Sequence, residues 1–305
     1  MLRRDMGEEV LSALNAPKTV ELMLNPDGKL WVERLGEQTT RLGSMDSGSS
    51  RAIIETVAGF HGRTVTHETP IIECELPLDG SRFTGVLPPV VSAPTFAIRR
   101  KASSIFTLDQ YVAQQSMSLQ QRDALRAAVN EHRNILVVGG TGSGKTTLVN
   151  GIIHEVVSQS PMERICIIED TPEVQCAAEN RVQFCTSQNV DMTKLLRTTL
   201  RMRPDRILVG EVRGPEAHTL LIAWNTGHEG GVATLHANTA EDGLVQLSMY
   251  LSMHPDCPRP PEPLIGRTVH IIVHVARTSD GFRRVEEIRE VSGYADGHFI
   301  TRKIC

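Results

Sequence analysis

The run Gly139-Gly140-Thr141-Gly142-Ser143-Gly144-Lys145-Thr146 constrains this chain more than any other stretch. It follows an apolar, β-branched segment, Asn134-Ile135-Leu136-Val137-Val138. It precedes Thr147-Leu148-Val149-Asn150-Gly151-Ile152-Ile153, which reads as a helix. Strand, glycine loop, Lys-Thr and helix, in that order, are the phosphate-binding loop of nucleoside triphosphatases. Glycines let successive backbone N–H groups turn inward on an anion, and the helix start adds the positive end of its dipole. Gly140, Thr141, Gly142, Ser143, Gly144, Lys145, Thr146 and Thr147 are therefore the expected nucleotide-binding residues. Lys145 can reach the β- and γ-phosphates, and the Thr146 hydroxyl can ligate Mg²⁺.

A chain of 305 residues can bury a sizeable core and hold two domains. Aromatic residues make up only 4%, so that core must be mainly aliphatic. The net charge of −4 gives no general attraction to nucleic acid or anionic lipid. The charged start, Met1-Leu2-Arg3-Arg4-Asp5-Met6-Gly7, lacks the apolar core of a signal peptide, and no apolar run approaches the ~20 residues of a membrane span. A cytoplasmic location is expected, with docking on a membrane complex left open. The six cysteines include no C-x-x-C pair and read as unpaired thiols. His270 and His274 fall in a β-rich run, where even spacing puts them on one face as solvated or hydrogen-bonded residues rather than as a metal site.

The pattern changes near residue 100. Before it, Leu2, Met6, Val10, Leu11 and Leu14 have helical spacing, and strands are expected at 20–24 and 30–33 around the turn Asn25-Pro26-Asp27-Gly28. Ser47-Gly48-Ser49-Ser50 is expected to cap a helix running from about Ser50 to Phe60. Segments 71–76 and 81–86 form a hairpin across Asp79-Gly80, and 95–99 adds another strand. Residues 1–100 are thus an α+β domain, 101–118 a linker with a short helix, and 119–305 an α/β domain. In the latter, short apolar strands alternate with helices, which implies a mainly parallel sheet covered on both faces. The Pro-rich stretch 255–263 reads as a loop.

Ligands of such sheets bind at the carboxyl ends of the strands. Glu169 and Asp170 end one strand, Glu211 a second and His236 a third. A carboxylate there can accept a proton from an attacking water, although Asp170-Thr171-Pro172-Glu173 is also good turn and capping chemistry. Glu211 follows Ile207-Leu208-Val209-Gly210 and has the form of an acid that orders Mg²⁺ through water, with Arg213 as its alternative, purely structural partner. His236 lies beyond glycines that imply close backbone approach, and fits a sensor of the γ-phosphate. Arg197, Arg201, Arg203 and Arg206 form either a solvated helix face or an anion-facing edge. Arg82, Arg99 and Arg100 read from spacing alone as solvent-facing.

Four segments in order resemble the secretion and traffic ATPases that power type IV secretion, conjugation and pilus machines. They are the phosphate loop; Ile168-Glu169-Asp170-Thr171-Pro172-Glu173, similar to the family's aspartate box; Leu208-Val209-Gly210-Glu211-Val212-Arg213, similar to its atypical Walker B; and 227–238, similar to its histidine box. Leu24-Asn25-Pro26-Asp27-Gly28 and Leu87-Pro88-Pro89-Val90-Val91 resemble the amino-terminal domain of the conjugal-transfer branch. The resemblance implies a RecA-like core, ATP and Mg²⁺ as ligands, a hexameric ring, and inner-membrane secretion components as partners. It implies Glu169 and Glu211 as the catalytic carboxylates, without saying which is the base. It also makes Arg82 and Arg99 phosphate-facing. The tetracysteine zinc module of type II secretion ATPases has no counterpart here. Alternatives are a pilus extension or retraction motor, or a nucleotide-binding scaffold with little turnover. A helicase is a further reading, but the charge and aromatic content offer little for strand binding.

Overall fold

The structure is a computed structural model that describes residues 1–34, 37–100, 105–187, 189–278 and 282–305. The chain divides into two compact units, Met1–Ser104 and Ile105–Cys305. Residues 101–104 of the expected linker lie outside the described residues.

The first unit begins with α1 (Leu2–Asn15), which is interrupted at Gly7 (φ 75°, ψ 163°) and buries Leu2, Met6, Val10, Ala13 and Leu14. Strands β1 (Thr19–Leu24), β2 (Lys29–Arg34) and β3 (Thr40–Ser44) follow, then α2 (Ser47–Phe60), β4 (Ile71–Glu75), β5 (Arg82–Val86) and β6 (Thr95–Arg99). The six strands form one antiparallel sheet in the order β3-β2-β1-β6-β5-β4. Leu22, Leu24, Phe83 and Ile98 pack against Ile53, Ile54 and Val57 of α2 and against α1. The α2 cap differs from expectation. Asp46 accepts from Gly48 N and Ser49 N, so the helix starts at Ser47 and absorbs the serines read as a loop. A carboxylate satisfies two of the orphan N–H groups at once and adds a favourable charge at the dipole's positive end.

In the second unit, α3 (Leu108–Ala113) lies within the expected linker and packs on α4 and α5. Helix α4 (Leu119–Asn130) opens with a capping box between Ser118 and Gln121. The remaining elements are β7 (Ile135–Gly139), α5 (Lys145–Gln159), β8 (Ile165–Glu169), β9 (Arg181–Cys185), α6 (Met192–Thr199), β10 (Arg206–Val209), α7 (Glu216–Trp224), β11 (Val232–His236), α8 (Ala240–Ser252), α9 (Glu262–Thr268), β12 (Ile271–Arg277), β13 (Arg283–Ala295) and β14 (His298–Lys303). Helix α9 begins inside the stretch expected to be a loop; Pro261 and Pro263 are tolerated because the first helical turn needs no N–H donor.

The eight-stranded sheet has the order β14-β13-β12-β7-β11-β10-β8-β9. It is mixed: β12 through β9 in that order pair parallel, and β13 and β14 add an antiparallel edge. Strand β7 shows why both faces are covered. Ile135 and Val137 pack with Leu125, Leu148 and Ile152, whereas Leu136 and Val138 pack with Leu196, Leu220 and Leu244. Successive side chains point to opposite faces, so a run of apolar residues in a central strand needs helices on each side.

Candidate nucleotide-binding site

The buried strand β7 ends at Gly139 and the chain turns through a loop into α5. Gly142 (φ 70°) and Gly144 (φ 97°) take left-handed conformations that side chains resist, which explains two of the glycines. A Cβ on Gly139 would lie 2.5 Å from Ser143 Oγ and 2.3 Å from Val275 O, so the base of the loop admits no side chain. Lys145 is 8% exposed and folds back into this loop. Its Nζ donates to Gly139 O (2.9 Å) and Gly140 O (3.0 Å) and lies 3.1 Å from His236 Nδ1.

The sheet register delivers His236. Strand β11 runs parallel to β7, with His236 opposite Gly139. Burial, and then the Lys145 cation, hold the His236 pKa below the ordinary imidazole value, against the opposing pull of Glu211. Glu211 follows β10 rather than ending it, since the strand stops at Val209. Its Oε1 lies 2.6 Å from His236 Nε2, a close approach that becomes an ion pair only when the imidazole is protonated. Its Oε2 accepts from Arg213 NH2. Arg213 NH1 lies 3.6 Å from Asp170 Oδ2. Lys145, His236, Glu211, Arg213 and Asp170 thus form a continuous chain of charged and polar groups across the carboxyl ends of β7, β11, β10 and β8.

Glu169 has a different environment. It ends β8, is 4% exposed, and its Oε1 accepts from Glu173 N (2.9 Å) and Val174 N (2.8 Å). Asn150 Oδ1, on α5, accepts from Gln175 N. These bonds fold the segment after β8 back over α5 and bring Glu173 Oε2 to 3.5 Å from Thr146 Oγ1. The sequence offers Glu173 as turn chemistry and as the last residue of the segment similar to the aspartate box; its place beside Thr146 depends on backbone bonds that sequence spacing does not reveal.

A cavity of about 580 Å³ opens at this end of the sheet, lined by Gly140, Thr141, His236, Ala237, Asn238, Asp242, Val245 and Gln246. A second cavity, of about 630 Å³, lies at the amino ends of the strands, where its Arg133 pairs with Glu131 and Glu290. The first is the candidate site because the glycine loop faces it.

Other expectations resolve differently. Arg206 is neither a solvated face nor an anion-facing edge. It is 1% exposed and donates to Glu163 Oε2 and to the carbonyls of Gly230 and Val129. The close backbone approach expected near His236 is found at Gly231, but against the Trp224 indole rather than toward the loop. His270 is hydrogen-bonded as expected: Nδ1 accepts from Asn134 N (2.9 Å). None of the six cysteines forms a disulfide among the described residues, and Cys185 Sγ donates to Asp170 O at 3.1 Å. In the first unit, Arg82 and Arg99 are direct cross-strand partners on β5 and β6, and Arg99 Nε lies 3.7 Å from Glu21 Oε2.

The residues present fit a nucleotide and a hard cation. Gly140 leaves open space at the loop, Gly142 and Gly144 take left-handed conformations, and Lys145 folds back into the loop at the start of α5. The Thr146 hydroxyl would supply one oxygen ligand, and Mg²⁺ bound with phosphate needs few others from protein.

Comparison with known proteins places the chain in a class. Residues 6–293 match the type II/IV secretion system protein family, and the chain belongs to that family. Within it, the chain is 48% identical over 298 residues to the probable conjugal transfer protein TrbB of Sinorhizobium fredii, covering 98% of this chain and 91% of that one. It is 46% identical over 300 residues to the conjugal transfer protein TrbB of Rhizobium radiobacter, covering 98% and 92%. Among solved structures it resembles the VirB11 ATPase of the Brucella suis type IV secretion system, with TM-score 0.51, 26% identity, and 94% and 96% of the two chains covered. The pilus retraction motor PilT with bound ADP shares the fold, with TM-score 0.64, 20% identity, and 88% and 77% covered.

Proposed function

We propose that this protein is a Mg²⁺-dependent ATPase, working as a hexameric ring, that powers conjugative DNA transfer or its pilus from the cytoplasmic face of the inner membrane. The family membership and the two conjugal transfer relatives support the biological setting. The observation that carries the chemistry is the chain from Lys145 through His236 to Glu211. No helix among the described residues is long and apolar enough to cross a membrane. An attachment to the membrane would then run through inner-membrane partners of the secretion apparatus.

In this reading, Lys145 leaves the carbonyls of Gly139 and Gly140 and turns its ammonium to the β- and γ-phosphates. The backbone of 140–147 cradles the phosphates, and Thr146 holds the metal. Mg²⁺, when bound, would offset the phosphate charge. His236 loses Lys145 as a neighbour when the lysine moves, so its imidazole registers whether the γ-phosphate is in place. Glu211 orients the attacking water and accepts its proton. Glu169 is the weaker candidate for that step, because one of its oxygens already holds two backbone N–H groups. Glu169 contributes by fixing the segment that carries Glu173 beside Thr146. Arg82 and Arg99 are assigned to phosphate binding on the family resemblance, with their side-by-side register providing two adjacent cations. The decisive test is phosphate release with and without Mg²⁺ in the wild type and in Lys145→Ala. The variant should lose turnover, and equal turnover in both proteins would overturn the reading.

A further inference from the structure

The β12–β13 hairpin brings a residue to the phosphate loop that none of the four motif segments contains. Strand β12 runs parallel beside β7, and β13 returns antiparallel with Arg283 opposite Arg277. From this position Arg283 Nε donates to Gly142 O at 2.9 Å, at the apex of the loop. Its side chain also lies along the loop. A Cβ on Gly144 would meet Arg283 Cδ at 2.9 Å, Cβ at 3.7 Å and Cγ at 3.8 Å.

We infer that Arg283 is a positioning residue for the nucleotide, acting by clamping the glycine loop from outside; this rests on the nucleotide-binding reading above. The physical need is clear from the loop's composition. Gly139, Gly140, Gly142 and Gly144 give it large backbone freedom, and glycine loses more conformational entropy on ordering than any other residue. A loop that must be ordered by its ligand binds more weakly than one ordered beforehand. Pinning the Gly142 carbonyl fixes one peptide plane, because C=O and the following N–H of a trans peptide are rigidly coupled. Two neighbouring residues then have less freedom to lose. Packing of the Arg283 methylenes along Gly144 restrains the loop at the second left-handed position. The guanidinium stays protonated at all working pH values and adds positive potential beside an anion site. Lys145 and Arg283 differ in kind: Lys145 points into the loop, whereas Arg283 holds it from the hairpin side.

The test uses the full chain, with a fluorescent ATP analogue for affinity and phosphate release for turnover. Arg283→Met keeps the length of side chain along Gly144 and removes the donor and charge. Its nucleotide Kd and its KM should rise about tenfold, and turnover at saturating ATP should fall less than threefold. Arg283→Lys, which keeps a donor and the charge, should recover part of the affinity. Thermal unfolding of each variant controls for folding. Lys145→Ala is measured in parallel. If Lys145→Ala loses affinity while Arg283→Met binds like wild type, the clamp is wrong and the nucleotide reading stands. If neither variant changes affinity, the nucleotide reading itself fails. A loss of affinity that tracks lowered stability in both Arg283 variants, with no rescue by lysine, also overturns the clamp and leaves only a packing role.

Discussion

Lys145 Nζ lies 3.1 Å from His236 Nδ1, joining the loop after β7 to the end of β11. An ammonium can only donate, so in this contact Nδ1 accepts and the imidazole is neutral. That assignment agrees with the lowered pKa of His236, caused by burial and then by Lys145. NMR titration of the His236 ring should give a midpoint below the ordinary value near 6.5. Lys145→Ala should move it upward, because a neighbouring cation is gone, and Glu211→Gln should move it further down. Below the ordinary histidine value the unfolded chain binds a proton that the folded chain resists, so His236 contributes stability above that pH, lost as pH falls through the lowered folded pKa. Melting temperature should therefore fall on acidification from neutral pH, and less steeply in His236→Gln. An unchanged His236 midpoint in Lys145→Ala would refute the contact.

The two carboxylates can be separated by substitutions that act on different bonds. Glu169→Gln keeps an Oε1 that can accept from Glu173 N and Val174 N, whereas Glu169→Ala leaves both donors without it. Glu169→Ala should cost about 1–3 kcal/mol of stability, the usual penalty for abandoned buried donors, and Glu169→Gln clearly less. Glu211→Gln should leave urea stability within about 1 kcal/mol, since its partners Arg213 and His236 are half-exposed. Its phosphate release should fall at least about 100-fold, the contribution expected of a general base. A Glu211→Gln enzyme with full turnover would transfer that role to another group.

How far the sequence discloses this molecule depends on where each element sits in its sheet. Central strands are legible. Ile135-Leu136-Val137-Val138 and Ile165-Cys166-Ile167-Ile168 are buried on both faces and carry uninterrupted apolar runs. Strands β3, β9 and β14, which the sequence pattern did not disclose, all lie at sheet edges. In β9, Val182 and Phe184 are only half-buried between exposed residues, so the strand exists because β8 offers it backbone partners. The site shows the same division. Gly139 to Thr146, Glu211 and His236 are visible because each follows a readable strand. Glu173 and Arg283 reach the loop through contacts far apart in sequence, and Arg206 looks like any surface arginine until Glu163 and two distant carbonyls surround it.

That buried arginine makes a stability prediction. Arg206→Leu leaves the Glu163 carboxylate with only His132 beside it, at 2.7 Å, and removes the donors to Gly230 O and Val129 O. Breaking a buried pair on one side costs roughly 3–5 kcal/mol, visible as a lower urea midpoint. Arg206→Leu combined with Glu163→Leu should recover part of the loss, because no carboxylate then remains beside the apolar side chain. A double variant no more stable than Arg206→Leu alone would mean that the carbonyl bonds, rather than the ion pair, carry the effect.

Gly231 precedes β11 and Gly140 follows its neighbour β7, and the two should respond oppositely to a methyl group. A Cβ on Gly231 would sit 2.1 Å from Trp224 Nε1 and 2.4 Å from Ile207 O. Those two atoms are hydrogen-bonded to each other at 3.2 Å inside the core, and Trp224 is 1% exposed. The methyl must therefore push the indole off its acceptor, which adds overpacking to a lost buried hydrogen bond. Gly231→Ala should cost about 2–4 kcal/mol on those two grounds, read by thermal or urea unfolding. Gly140 has open space where its Cβ would point and no left-handed backbone. Gly140→Ala should fold with near-wild-type stability and change only nucleotide affinity, because its methyl projects at the loop and not into the core. Equal stability of the two alanine variants would show that Trp224 can move without cost and that Gly231 does not fix the start of β11.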